Sequence, residues 1–243
     1  MHAVYPVISV HTVVKRSSSV MSRKVSGSMA LLLFAVCSIA ASAQKPVSSM
    51  PTANELAKRV DEHYNRLKSL KTGFSEQYDG LGMHRDESGT MLLRKPGKMR
   101  WEYSSTKGKV FVLDGKYAWF YSPGDSQVQR IGANQLDDLR SPLRFLLGHT
   151  KIESELQGLK IASSQGDAFV LSGVPKGQEK RLAKLMLTVT ADGTILHIEI
   201  DEIDGARTVF NFSNEEPNAV IPESVFHFVP PTGVPVVDAL PPV

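Results

Sequence analysis

Cysteine is almost absent from this sequence. Cys37 is the single one, and it lies in an N-terminal stretch that we expect to be removed. A mature chain without cysteine has neither disulfide nor thiol chemistry, so it can fold unassisted in an oxidising compartment. The residue before Cys37 is Val36, whereas lipid-anchored bacterial proteins have a small residue there. The sequence therefore favours a soluble exported product over a lipid anchor.

No apolar run is long enough to span a bilayer as a helix, which takes about 20 residues. The run Met29–Cys37 continues to Ala41 in mostly small residues. Basic residues and no acidic ones precede it, and Ala41-Ser42-Ala43 follows as a small-residue cleavage signal. The basic residues are Lys15, Arg16, Arg23 and Lys24. Residues 1–43 are therefore predicted to be a signal peptide, with cleavage after Ala43, and Met21 would also serve as its start.

An excess of basic charge is also missing from the predicted mature chain. The whole chain has 28 basic and 25 acidic residues. Removal of the signal peptide takes away four basic residues and leaves 24 against 25, a net charge of −1. This balance argues against nucleic acid as a partner. The 200 residues from 44 to 243 suit one domain with a sizeable core.

Catalytic motifs are missing as well. The mature histidines are scattered without metal-ligand spacing, and neither a G-x-S-x-G nucleophile motif nor a Gly-rich phosphate loop occurs. Glu153 and Glu155 are two residues apart, which predicts one solvated face of a strand rather than a catalytic pair. We therefore expect no catalytic residue, no metal, no cofactor and no enzymatic activity.

A helix is predicted near the start of the mature chain. Thr52 is a good N-cap, and Glu55 stands three residues later, where a capping box requires an acidic or amide side chain. Apolar residues then recur at helical spacing from Leu56 to Leu70, and Gly73 is expected to end the helix.

From Phe74 onwards the period changes to two, and Asp-Gly or Pro-Gly turns separate short runs that are typical of strands. The turns are Asp114-Gly115, Pro123-Gly124, Asp192-Gly193 and Asp204-Gly205. The predicted strands are 91–94, 99–103, 110–113, 117–121, 128–131, 168–174, 185–190, 195–200, 208–212 and 225–229. Closely spaced hairpins predict an antiparallel sheet.

A predicted helical segment interrupts this sheet, and aromatic residues alternate along two of its strands. Ser141-Pro142 and Gly148 bound a short, strongly apolar segment that is predicted to be helical. Aromatic residues occupy alternating positions: Trp101 and Tyr103 in one strand, Trp119 and Tyr121 in another. Such faces fill the core of a small barrel, or they line a ligand cavity in a wider or open one; both interpretations stay open.

Four segments stand out in order along the chain: Arg94–Tyr103, Val112–Pro123, Ser141–Gly148 and Phe226–Val234. They resemble segments of the LolA family of outer-membrane lipoprotein carriers. The first is similar to the family's "RPgkfRW" strand, and the second to its "DGk..W.Y.P" hairpin. Ser141–Gly148 resembles the internal helix, and Phe226–Val234 resembles the closing "F.F.pP.GV" signature.

The resemblance implies a mainly β fold with helices: an unclosed antiparallel β-barrel, or half-barrel, with a helical lid over an apolar cavity. It implies a monomeric periplasmic carrier. An inner-membrane lipoprotein-releasing ABC transporter (LolCDE-like) would load it with acylated lipoproteins, and an outer-membrane receptor (LolB-like) would unload it.

The resemblance also implies roles for residues. The predicted acyl-chain and lid contacts are Phe74, Leu93, Met99, Trp101, Trp119, Tyr121, Leu143 and Leu146. The residue before Pro96 is commonly an arginine that holds the empty carrier shut; here it is Lys95, with Arg94 beside it. Lysine lacks the guanidinium fork, so either residue is a candidate for the latch.

Two other functions remain as alternatives. A sensor or lipid-binding module could use the same half-barrel, although such regulatory proteins carry a further C-terminal domain. A lipid hydrolase would need the nucleophile motif that the sequence lacks.

Overall fold

Within residues 50–133, 144–147 and 151–238, which the computed structural model describes, the chain forms one twelve-stranded sheet and a few helices. The predicted signal peptide and Cys37 lie outside the described residues. The strands are β1 (Ser69–Gly80), β2 (Met83–Arg94), β3 (Lys98–Tyr103), β4 (Val110–Leu113), β5 (Tyr117–Tyr121), β6 (Val128–Gly132), β7 (Leu156–Gln165), β8 (Ala168–Pro175), β9 (Leu182–Thr190), β10 (Ile195–Glu202), β11 (Arg207–Pro217) and β12 (Val236–Asp238).

The sheet is open rather than closed into a barrel. Its strand order is β12-β6-β5-β4-β3-β2-β1-β11-β10-β9-β8-β7, so β12 and β7 are the two edges. All neighbours are antiparallel except β12 and β6, which are parallel. The predicted unclosed antiparallel half-barrel is confirmed.

Helix α1 (Ala53–Arg66) begins where the sequence predicts. The Thr52 side chain accepts from the Glu55 amide, and the Glu55 carboxylate accepts from the Thr52 amide at 2.7 Å, which completes the capping box. The helix ends before the predicted stop, because Leu67 adopts an extended conformation and β1 starts at Ser69. Gly73 lies inside β1, so its assignment as the helix stop is wrong. A Cβ there would meet the Oγ of the exposed Ser213 at 2.8 Å, so a larger residue would need this side chain to move.

Where the structure describes the chain between β6 and β7, it forms two short helices. The predicted helix 141–148 is described only at α2 (Arg144–Leu147), which is helical as expected. Helix α3 (Ile152–Glu155) contains Glu153 and Glu155, so their placement on a strand is wrong. The buried Ile152 anchors this turn against the core, and β7 begins only at Leu156.

The predicted strand 225–229 is also wrong. The chain there forms a 3-10 helix (Glu223–Phe226) that contacts β3. Strand β3 already has β2 and β4 as neighbours, so the segment cannot join the ladder and lies across a face of the sheet instead. Pro222 precedes it, and Pro230 and Pro231 follow, none of which has an N–H to donate.

Candidate functional site

Apolar side chains of the central strands collect on one face of the sheet. Leu93 is paired with Leu70 on one side and with Met99 on the other, and Met91 is paired with Trp101. Side chains directly opposite each other in antiparallel strands share a face. All five are at most 4% exposed, so this face is a continuous apolar surface.

An aromatic cluster lies further along the same face. The Phe74 ring centroid is 4.5 Å from that of Trp101 and 5.3 Å from that of Tyr103, both edge to face. Trp101 in turn meets Phe210 at 5.8 Å. Gly89 stands opposite Phe74, and a Cβ there would meet the Glu102 carbonyl oxygen at 1.9 Å and the Phe74 ring at 2.9 Å. Glycine is required for this close packing.

The helices cover this apolar face, which we therefore call the concave face. Its core cluster includes residues of α1, α2 and α3 and of the strands. The helical members are Leu56, Ala57, Val60 and Tyr64 from α1, Phe145 and Leu146 from α2, and Ile152 from α3. These helical side chains pack against the buried side chains of the sheet, so the apolar face is covered in this conformation.

Sequence-predicted contacts divide between the two faces. Phe74, Leu93, Met99, Trp101 and Leu146 come together in the core cluster under the helices. Leu143 lies outside the described residues.

Trp119 and Tyr121 belong to the opposite, convex face. Trp101 is paired with Phe111 and so shares its face, whereas Trp119 is paired with Val112, the neighbour of Phe111 in β4. Because alternate residues of a strand point to opposite faces, Trp119 points away from Trp101. Tyr121 is two residues after Trp119 in the same strand, so it points to the same face as Trp119. The prediction that Trp119 and Tyr121 line the apolar cavity under the helices is therefore wrong.

The C-terminal segment covers these two aromatic residues. Phe228 lies with its ring centroid 5.6 Å from that of Trp119 and 6.4 Å from that of Tyr121. The Arg100 guanidinium donates to the Val225 carbonyl at 3.2 Å and fixes the segment to β3. The family-like signature at 226–234 thus closes a second, smaller apolar cluster on the convex face.

Lys95 joins the sheet to helix α1. Its ammonium group donates to the backbone carbonyl of Tyr64 and, at 3.2 Å, to that of Asn65. These carbonyls belong to the last turn of α1, where a cation is favourable because the carbonyls there have no partner within the helix. Partial burial lowers the pKa of Lys95. This is the contact expected of a latch between sheet and lid.

Arg94 points to the other side. Its Nη1 donates to the Ile221 carbonyl at 3.2 Å and lies 3.0 Å from the Glu223 carboxylate. Both partners belong to the C-terminal segment on the convex face. These bonds of Arg94 therefore do not reach α1, whereas those of Lys95 do.

A second connection between α1 and the sheet has no sequence motif. The Tyr64 hydroxyl donates to Glu215 Oε2 at 3.0 Å and accepts from the Ile195 amide at 2.9 Å. His63 Nε2 lies 2.6 Å from Glu215 Oε1. Burial, together with the charge of Glu215, raises the pKa of Tyr64 well above its ordinary value. Helical spacing within α1 cannot predict the partner of Tyr64, because Glu215 is 151 residues away in sequence.

Charged groups occupy the far end of the concave face. Glu76 and Glu87 are cross-strand neighbours, and Arg85 lies 3.5 Å from the Glu76 carboxylate. Lys109 donates to Glu87 Oε2 at 2.7 Å. Burial raises the pKa of Glu76, with Glu87 adding to the effect and Arg85 opposing it. The concave face is therefore apolar under the helices and charged at the end away from α1.

The described residues offer little for metal chemistry or for a membrane-spanning helix. They contain no group of three or more His, Cys, Asp or Glu side chains suited to a metal ion. No helix among them has the length and hydropathy needed to cross a bilayer.

The sheet is open and mainly antiparallel, and its apolar concave face lies under helices that a few polar contacts hold in place. These features define the half-barrel class with a helical lid. The family model described as "Outer membrane lipoprotein carrier protein LolA" matches residues 65–229. The chain belongs to this family.

Two relatives with the family's name, and one solved structure with a similar fold, illustrate what the chain is similar to. An outer-membrane lipoprotein carrier protein of Nitrosospira multiformis is 34% identical over 62% of this chain and 72% of its own length. The protein of the same name from Cronobacter sakazakii is 31% identical over 89% of this chain and 98% of its own. An uncharacterised conserved protein from Thermus thermophilus has a similar fold, with a TM-score of 0.50 and 16% identity over 77% of this chain and 99% of its own.

Proposed function

We propose that this protein carries acylated lipoproteins and shelters their acyl chains on the concave face. The observation that carries the proposal is the continuous apolar surface of Leu93, Met99 and Trp101 under a helical cover that Lys95 fastens. The family assignment and the names of the relatives support it.

The physical need for such a carrier is plain. Each buried methylene group contributes about 0.8 kcal/mol, so a protein with several acyl chains leaves a membrane very slowly without an acceptor. An apolar surface without oriented polar partners binds chains in proportion to the buried area. It therefore accepts many cargo proteins that share only their acyl groups.

The acyl chains would contact Phe74, Leu93, Met99, Trp101 and Leu146 after the helices move aside. Leu143 remains a proposed lid contact from its place in the sequence. Methionine suits such a surface because its flexible thioether adapts to ligands of variable shape.

We further propose the cellular route that the family resemblance implies. Residues 1–43 would be removed on export, and residues 44–243 would act as one monomeric domain in the periplasm, without catalysis, cofactor or nucleic acid. An inner-membrane ABC transporter of the LolCDE kind would load the carrier, and a LolB-like outer-membrane receptor would unload it.

A competition experiment tests the proposal. The purified protein is titrated with the apolar fluorophore bis-ANS and then with a triacylated lipopeptide. We expect displacement at low micromolar lipopeptide, and at least tenfold weaker displacement in Met99→Gln. Met186→Gln is the matched control, because Met186 is paired with Glu199 and lies, half-buried, on the convex face of β9.

Two results would contradict the proposal. One is a folded protein whose bound fluorophore the lipopeptide does not displace. The other is an equal loss in Met99→Gln and Met186→Gln, which would mean that the concave face has no special role.

A further inference from the structure

Three large apolar side chains are exposed on two turns of the sheet. Leu81 is 75% exposed in the β1–β2 turn, and Met83, the first residue of β2, is 60% exposed beside it. Ile203 is 62% exposed in the β10–β11 turn. Clustered exposed apolar groups mark a contact surface more often than single ones do.

The two turns are neighbours because β1 and β11 are paired. Gly80 packs so closely on Ala206 that a Cβ at Gly80 would lie 2.5 Å from the Ala206 Cβ. Two strand spacings, about 10 Å, separate the turn centres. Both turns stand at the end of the sheet away from Lys95 and Ile195, the residues that bind α1.

The backbone at Leu81 is unfavourable for leucine. Its φ is +52°, followed by +73° at Gly82. This is the left-handed pair of a two-residue hairpin turn, in which asparagine or aspartate normally precedes glycine. Within the described part of the chain, the other non-glycine residues with positive φ are Asn214 and Asn218. The fold of the turn thus gives no reason for leucine at position 81. A contact made by the leucine side chain would give one.

The shape of the surface favours a fluid partner over a protein. A Cβ added to Gly82 or Gly205 would meet nothing within 4 Å, so the turns project into open space. A stable protein interface buries about 800 Å² on each partner, which three side chains on projecting turns do not provide. The apolar interior of a bilayer accepts projecting side chains without needing a matching shape.

The charges behind the turns have both signs. His84 lies between Asp79 and Asp86, at 2.6 and 2.8 Å, and these carboxylates raise its pKa. Arg207 pairs with Asp201 at 2.8 Å. No basic collar that would select anionic lipid is formed by these groups.

We propose that the β1–β2 and β10–β11 turns insert Leu81, Met83 and Ile203 into the surface of a zwitterionic phospholipid bilayer. The contact is weak and reversible, comparable to that of a single acyl chain. It holds the protein at a membrane for a short time, and it does not depend on acyl-chain binding by the concave face.

Vesicle flotation tests this proposal without any lipoprotein. The purified protein is mixed with phosphatidylcholine vesicles, and the floating fraction is measured against lipid concentration. We expect binding that Leu81→Asn weakens by roughly tenfold, because burial of one leucine side chain contributes at least that factor. The same variant should unfold at equal or higher urea concentration, since asparagine accepts the left-handed backbone.

Val220→Asn is the matched control, because Val220 is 99% exposed but lies in the segment after β11. It should float like the wild-type protein. Failure of the wild-type protein to float, or equal binding by Leu81→Asn, would overturn the proposal. So would a strict requirement for anionic lipid, or concentration-dependent self-association that Leu81→Asn abolishes. None of these results bears on lipopeptide displacement, so this proposal and the carrier function can fail separately.

Discussion

The ammonium group of Lys95 donates to the carbonyl of Tyr64, at the last turn of the helix that covers the apolar face. Lys95, which directly follows β2, thus connects the sheet to its lid alongside the contact between Tyr64 and Glu215. The Lys95 bond is to backbone, so it depends on the position of α1 and not on which side chains the helix carries. A latch of this kind can open without any change in the helix itself.

Removal of the Lys95 side chain should loosen the lid. Lys95→Ala deletes both bonds to α1, which at this partly exposed site contribute on the order of 1 kcal/mol. We expect bis-ANS fluorescence to rise in the absence of cargo, because the concave face is uncovered more often. Lys95→Arg should restore or exceed wild-type closure, since guanidinium makes more oriented bonds.

The neighbouring arginine provides the control for this experiment. Arg94→Ala removes bonds to Ile221 and Glu223 on the convex face, so bis-ANS fluorescence should stay at the wild-type level. An increase in Arg94→Ala as large as that in Lys95→Ala would show that general loosening, and not the latch, exposes the apolar face.

Two hairpin glycines allow a matched test of how α1 is seated. Gly193 and Gly205 both follow aspartate and have φ values of +93° and +90°. A Cβ at Gly193 would meet the carbonyl carbon and oxygen of Arg59 at 2.4 Å, whereas at Gly205 it would meet nothing within 4 Å. Alanine at either position has the same backbone strain, about 1–2 kcal/mol, but only at Gly193 does it also push against α1.

We therefore expect Gly205→Ala to lower the free energy of unfolding by about 1 kcal/mol and Gly193→Ala by at least about 2 kcal/mol more, in line with other overpacking substitutions. Urea unfolding measures both values. Equal losses in the two variants would mean that the helix shifts away from the turn at no cost.

The start of α1 and the four glycine turns were predictable because their causes are local. The Thr52–Glu55 capping box closes within four residues, and an Asp-Gly pair specifies a turn without help from the rest of the chain. The strand that contains Met99 and Trp101 was predictable for the same reason, since alternation within one strand places both on one face.

The face of a different strand could not be read in the same way. Trp119 has the same apolar alternation as Trp101, but its face depends on the register through β4, which no residue in β5 determines. The partner of Tyr64, Glu215, and the approach of Gly193 to Arg59 are long-range contacts with no sequence signal. The segment 225–229 was wrongly predicted to be a strand because its apolar residues alternate. Such alternation occurs in any extended segment that buries one side, whether or not it joins a sheet.

Stability should depend on pH through Glu76. Because burial raises the pKa of folded Glu76 above its ordinary value of 4.5, the folded protein holds this proton more tightly than the unfolded chain does. The free energy of unfolding therefore decreases as pH rises from about 4.5 through the raised pKa. Glu76→Gln removes this decrease, so the variant should be more stable than wild type at pH 7 and closer to it at pH 4.

Urea unfolding at several pH values measures the Glu76 effect. Glu216→Gln serves for comparison, because Glu216 pairs with Lys71 on an exposed surface and should change stability little at any pH. If Glu76→Gln were less stable than wild type at neutral pH, the contact with Arg85 would outweigh the cost of burying the Glu76 charge.

The two tryptophans provide the sharpest test of which face receives acyl chains. The chain has two tryptophans in all, Trp101 on the concave face and Trp119 on the convex face. Trp119→Phe leaves Trp101 as the only indole, and Trp101→Phe leaves Trp119. A lipopeptide with brominated acyl chains quenches an indole only at close range, so we expect strong quenching in Trp119→Phe and almost none in Trp101→Phe.

The comparison does not depend on how much affinity either substitution costs, because saturation is reached separately in each variant. Acyl chains that enter from the concave side must reach Trp101, which contacts Phe74 and Phe210 within the surface they would occupy. Strong quenching of Trp119 in place of Trp101 would mean that the chains displace Phe228 from the convex face. The carrier site would then be the smaller cluster under the C-terminal segment, and the helices would have no part in covering it.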